Sequence, residues 1–99
     1  MTYRVEYSPD AVKHLRILNA RQRATILDVA AGQLAQHPTV ETGNRRRMRP
    51  NPLAPWALRV GNLRVYYDVQ HSPDAVVFIL AIGVKRRNVL YVGEEAILL

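Results

Sequence analysis

The chain contains no cysteine. That excludes disulfides, a thiolate nucleophile and cysteine-ligated zinc or iron, and it suits a reducing, cytoplasmic setting. Its five glycines, Gly32, Gly43, Gly61, Gly83 and Gly93, stand singly, so there is no glycine-rich phosphate loop. His14, His37 and His71 fall in a helix, at a helix end and in a turn, without ligand spacing, so no metal and no cofactor is expected. Acids are few, 8 Asp+Glu against 14 Lys+Arg for a net charge of +6, and only Glu94 and Glu95 are neighbours. Paired-carboxylate catalysis therefore lacks its parts. No apolar run approaches the ~20 residues of a membrane span. The first residues already carry Arg4 and Glu6, which is not a signal peptide. The expectation is a cytoplasmic protein that does not engage a membrane.

What remains is apolar enough to fold and basic enough to seek an anion. At 99 residues, of which 48% are hydrophobic, the chain is expected to form one domain, residues 1–99. The excess of positive charge favours a nucleic acid, a ribosome-like surface or an acidic protein, and equally serves solubility. Tyr3, Val5 and Tyr7 alternate with polar residues, a strand pattern. Ser8-Pro9-Asp10 is a helix start, with Ser8 as cap. Ala11, Val12, Leu15 and Leu18 form the first helix's apolar stripe. Ile26, Leu27, Ala30, Ala31 and Leu34 form that of a second, which His37-Pro38 ends. The short connection between them predicts an antiparallel pair. Arg45 to Arg49 is read as an edge strand with Arg45, Arg47 and Arg49 on one side. Pro50, Pro52 and Pro55 break the chain before a hairpin. Ala75 to Ile82 is an unbroken apolar run, hence a central strand covered on both faces and released at Gly83. The order of elements predicts an α+β fold, two N-terminal antiparallel helices packed on one face of a mainly antiparallel, twisted β-sheet.

The hairpin is the informative stretch. Runs rich in β-branched and aromatic residues flank Gly61-Asn62, which suits a two-residue primed turn. Pairing then sets Val60 opposite Leu63, Leu58 opposite Val65 and Trp56 opposite Tyr67, so one face is wholly apolar. The other face sets Arg59 opposite Arg64, with Tyr66 next along. Like charges so opposed destabilise a sheet by up to ~1 kcal/mol, which points to an anionic ligand. Lys85, Arg86 and Arg87 leave the central strand, and Tyr91 follows. Arginine forks bind phosphate and tyrosines stack on bases, and clustered arginines are expected to lower a neighbouring tyrosine's pKa. RNA cleavage by its own 2′-hydroxyl needs charge stabilisation and proton transfer rather than a protein nucleophile.

Arg59-Val60-Gly61-Asn62-Leu63-Arg64-Val65-Tyr66-Tyr67-Asp68, then Val76 to Gly83 and a basic run, resembles the RelE/ParE superfamily of bacterial type II toxins. The resemblance spans almost the whole chain and is strongest from Leu58 to Tyr91. It implies a RelE-like, microbial-ribonuclease-type fold and a toxin neutralised by a cognate antitoxin in a hetero-oligomer. It also implies one of two activities, metal-independent cleavage of mRNA on the ribosome, which is favoured here, or poisoning of DNA gyrase. A catalytically weak RNA-binding member is a further alternative. In the RelE pattern Arg64, Lys85 and Tyr91 are catalytic, and Arg45, Arg47, Arg49, Arg59, Tyr66, Arg86 and Arg87 bind RNA. Where RelE-type enzymes carry lysines before the hairpin turn, this chain has Pro55 and Ala57.

Overall fold

The hairpin register is the one the turn chemistry demands. In a computed structural model that describes residues 2–98, Val60 pairs with Leu63, Arg59 with Arg64, Leu58 with Val65 and Trp56 with Tyr67. Gly61 takes the positive φ of +59° that the first turn position requires. The strands are β1 (Arg4–Tyr7), β2 (Arg45–Arg47), β3 (Trp56–Val60), β4 (Leu63–Gln70), β5 (Val76–Arg86), β6 (Val89–Val92) and β7 (Glu95–Ile97). They form one sheet in the order β2-β3-β4-β5-β6-β7. β5 is long enough to be shared on its second edge. Its first half pairs parallel with β1 and its last four residues pair antiparallel with β6. Gly83 thus lies inside the strand and does not end it.

Helix α1 (Pro9–Ile17) starts as the sequence indicates, with Ser8 Oγ accepting from the Ala11 N–H at 3.0 Å. The same hydroxyl donates to the Leu80 carbonyl at 3.1 Å, which ties the helix start to the point where the β4–β5 register slips by one residue. Asn19 and Gln22 form a capping box for α2 (Ala20–Val29). α2 passes into a π-helical turn at Ala30–Leu34, so the regular α-helix stops short of the expected His37. Its buried stripe is narrower too. Ile26, Ala30 and Leu34 are covered, whereas Leu27 is half exposed.

The helices and one sheet face enclose the main core. Ala11, Leu18, Ile26, Ala30 and Leu34 meet Trp56, Leu58, Val65, Tyr67, Val77, Ile79, Ile82 and Val84. Tyr67 is fully buried, stacks on Trp56 at 6.2 Å and donates its hydroxyl to the Pro38 carbonyl at 2.6 Å. The opposite face carries a smaller cluster of Ala54, Tyr66, Ala81, Leu90 and Val92. The proline-rich loop covers it with Met48 and Leu53, and Asn51 pins that loop by bonding the carbonyls of Arg49 and Ala54 and the N–H groups of Leu53 and Ala54. Ile97 in β7 also packs there, and Leu99 of the expected tail lies outside the described residues. No described helix is long and apolar enough to cross a membrane.

Candidate nucleic-acid interface

Register decides which face each basic residue occupies, because directly paired residues share a face. One row across the sheet is Arg59, Arg64, Gly83, Val92 and Glu95. A second is Arg46, Ala57, Tyr66 and Ala81. Lys85, Leu90 and Ile97 make a third. All three lie on the face away from the helices. The alternate rows, Arg45, Leu58, Val65 and Ile82, and Val60, Leu63, Val84, Tyr91 and Ala96, lie on the helix face.

The structure therefore brings Arg59, Arg64, Tyr66 and Lys85 together and sends other sequence-derived candidates elsewhere. Arg45 is 5% exposed, bonds the Val40 carbonyl at 3.0 Å and leaves Nε without a partner. Arg47 covers the Trp56 ring at 5.7 Å. Arg86 lies over Tyr91 at 5.9 Å, and Tyr91 lines a cavity of about 280 Å³ with His14, Ile17 and Glu94 on the helix side. Arg49 lies beyond β2, and Arg87 sits at the tip of the β5–β6 turn. The expected trio of Arg64, Lys85 and Tyr91 is thus split by the sheet. Nor do Arg45, Arg47 and Arg49 line one side of a strand with the rest.

In their place the face gains Arg46 and Asn88. A recess of about 230 Å³ is lined by Gly43, Asn44, Arg46, Ala57, Arg59, Arg64 and Lys85. A second, of about 270 Å³, shares Arg64 and Lys85 and adds Tyr66, Asn88, Leu90, Ile97 and Leu98. Three successive arginines at 45–47 carry no alternation, so only pairing with β3 reveals that the middle one faces the site.

The opposed arginines relieve their repulsion by turning to different loops. Arg64 Nη1 donates to the carbonyls of Gly61 at 2.8 Å and Leu63 at 2.9 Å. Arg59 Nη2 reaches the Gly43 carbonyl at 3.3 Å and Asn44 Oδ1 at 3.4 Å. Carbonyls orient these groups without neutralising them. Among the described residues the only ion pair is Arg4–Glu6, remote in sequence from all four cations of this face. Partial burial, with Arg59 adding to it, pulls Arg64 below its ordinary value, while Tyr66 works in the other direction. Burial pushes Tyr66 up, and this outweighs the downward pull of Arg64, contrary to the expectation that arginines would lower such a tyrosine. Tyr66 thus keeps its proton. Among the described residues no group of three His, Asp or Glu gathers as metal ligands would.

Arg46, Arg59, Arg64 and Lys85 converge on one recess, with the neutral phenol of Tyr66 in the adjoining one, a set of donors whose chemistry suits a phosphate. A family model described as the ParE toxin of type II toxin–antitoxin systems, parDE, matches residues 5–89. The chain belongs to this family. It is a type II toxin of the RelE/ParE superfamily. The toxin's fold matches that in the RelBE2 toxin–antitoxin complex of Mycobacterium tuberculosis, with a TM-score of 0.71 at 23% identity over 83% of this chain and 96% of that one. It also matches the archaeal RelE–RelB complex of Pyrococcus horikoshii, with a TM-score of 0.61 at 25% identity over 88% of this chain and 99% of that one. No curated protein matches the chain.

Proposed function

We propose that this toxin acts on RNA, as a ribosome-dependent endoribonuclease that cleaves mRNA and stops translation, restrained by a cognate antitoxin in a hetero-oligomer. The observation that carries this reading is the cluster of Arg46, Arg59, Arg64 and Lys85 on one sheet face without an acidic partner. In the reaction the ribose 2′-oxygen attacks the adjacent phosphorus, a cyclic phosphate forms, and the bond to the 5′-oxygen breaks. Arg64, central to the face and shared by both recesses, stabilises the charge that grows on the phosphate. Lys85 beside it is the group able to give a proton to the departing 5′-oxygen, which an arginine does poorly. Tyr66, whose proton is held by burial, donates a hydrogen bond and is no base. No side chain lining the two recesses serves as base at neutral pH, so the 2′ proton passes to water or to a group on the ribosome. Tyr91 takes no part.

The antitoxin is supported by the two similar structures, both of which are toxin–antitoxin complexes. Inhibition of gyrase is the second reading, favoured by the description of the matching family model as the ParE toxin. Primer extension on mRNA from cells expressing the toxin separates the two. Cuts at discrete codon positions are expected. Intact message with DNA damage would replace the first reading by the second.

A further inference from the structure

The second recess is not needed to hold a phosphate, and its walls suggest another occupant. Leu90, Ile97 and Leu98 supply an apolar side, while Asn88, Lys85, Arg64 and Tyr66 supply polar groups. Leu98 is 98% exposed, a large apolar side chain that no described residue covers. Leu90 reaches its place because residue 83 is glycine. A Cβ on Gly83 would stand 2.8 Å from Leu90 Cδ1 and 3.1 Å from the Tyr91 carbonyl oxygen. Gly83 is also the direct partner of Arg64, so the apolar wall and the phosphate-binding guanidinium are set side by side.

Asn88 is fixed from the other direction. It and Arg87 are the two non-glycine residues of the described chain with positive φ, 66° and 51°, which makes their link a tight primed turn between β5 and β6. Asparagine tolerates this conformation better than most residues. Its amide makes no hydrogen bond to the protein among the described residues, although it lines the recess. An apolar wall, an unengaged amide and two cations at the junction with a phosphate recess are the parts of a nucleotide subsite.

We infer that the recess bounded by Asn88, Leu90, Ile97 and Leu98 takes the base of the nucleotide whose phosphate lies on Arg64 and Lys85, and that Asn88 reads that base's edge. The inference rests on the phosphate-binding reading above and goes beyond it by naming the residue that sets sequence preference. A carboxamide offers a donor and an acceptor side by side, which matches N7 and the amino group of adenine best. Arg64 and Lys85 place the phosphate, and Leu90 and Ile97 contact the base face. Asn88 is a specificity residue and takes no part in the chemical step.

Titration of the full-length toxin with AMP, GMP, CMP, UMP and ribose 5-phosphate, followed by NMR shifts of the 83–97 segment, tests this. AMP is expected to bind about tenfold tighter than ribose 5-phosphate, the contribution of one stacked and recognised base. Asn88→Ala should erase differences among the four nucleotides while leaving ribose 5-phosphate affinity unchanged, and Arg64→Ala should weaken all five ligands. Equal binding of nucleotides and ribose 5-phosphate by the wild type would overturn the base subsite and leave the phosphate reading standing. So would an Asn88→Ala protein that discriminates as the wild type does. If neither ribose 5-phosphate nor any nucleotide binds, the phosphate reading falls and the subsite falls with it.

Discussion

Tyr67 and Tyr66 are adjacent on β4, and their hydroxyls should differ sharply in worth. Tyr67 is fully buried, and its hydroxyl donates to the Pro38 carbonyl at 2.6 Å inside the core. Tyr67→Phe leaves that carbonyl, on a fully buried proline, without its partner. It also removes a polar neighbour from Arg45, a buried guanidinium whose Nε already has none. An orphaned buried acceptor costs about 1–3 kcal/mol, and at the middle of that range a domain of this size loses roughly 10 °C in Tm. Tyr66→Phe removes a hydroxyl that makes no bond within the described chain, so it should change stability by less than about 0.5 kcal/mol. Both variants are measured by urea unfolding and calorimetry in an Arg64→Ala background, which should permit expression. A Tyr67→Phe protein within ~2 °C of its parent would refute the reasoning, as would one no less stable than Tyr66→Phe.

Further expectations concern pH and the two sheet faces. Burial raises the pKa of Tyr7, Tyr66 and Tyr67 above the ordinary 10.0, so the folded state holds protons that the unfolded chain releases. Their contribution to stability should be constant up to pH 10 and fall as pH rises beyond it, less steeply in Tyr67→Phe, as read from urea midpoints. His14 is shifted the other way, lowered by burial against a weaker upward pull from Asp10, and its Nδ1 accepts the Ile82 N–H at 3.1 Å. Its contribution should be present above the ordinary pKa of 6.5 and be lost as pH falls below it, a dependence that His14→Gln should flatten. Arg46→Ala should weaken binding to a short single-stranded RNA and reduce the salt slope by about one ion's worth, whereas Arg47→Ala, on the helix face, should leave both unchanged. Filter binding across a salt series reads the difference.

How far the sequence carried can be seen residue by residue. Gly61-Asn62 specified a turn that only one register satisfies, so the apolar face from Trp56 to Val69 was legible in full. Ser8-Pro9 and the alternation of Tyr3, Val5 and Tyr7 were equally local signals. The bulge near Leu80 was not, since it arises where β4 must pair with a strand also held by Ser8, a contact 72 residues away in the chain. That one-residue slip leaves no mark in an apolar run. Without strand parity through Gly83 to Val92, the sequence leaves the faces of Lys85, Arg86 and Tyr91 open, and the RelE pattern alone sets Tyr91 with Arg64. Pairing puts it opposite Val84 on the other side. Arg46 was hidden between two arginines for the same reason. Tyr66 read as a polar-face residue free to stack, and the loop that buries it to 3% exposure is held by Asn51, whose bonding no periodicity announces.

The central claim is that one sheet face, and not the helix face, acts on RNA. Primer-extension mapping of mRNA in cells expressing wild-type toxin, Arg64→Ala, Lys85→Ala or Tyr91→Ala tests it directly, with antitoxin binding as the check on folding. Cleavage should vanish with Arg64→Ala, fall at least about a hundredfold with Lys85→Ala and persist with Tyr91→Ala, since one general-acid contribution is of order 10²–10⁴. Loss of cleavage in Tyr91→Ala with full cleavage in Arg64→Ala, both proteins still binding antitoxin, would place the chemistry on the opposite face and contradict the account.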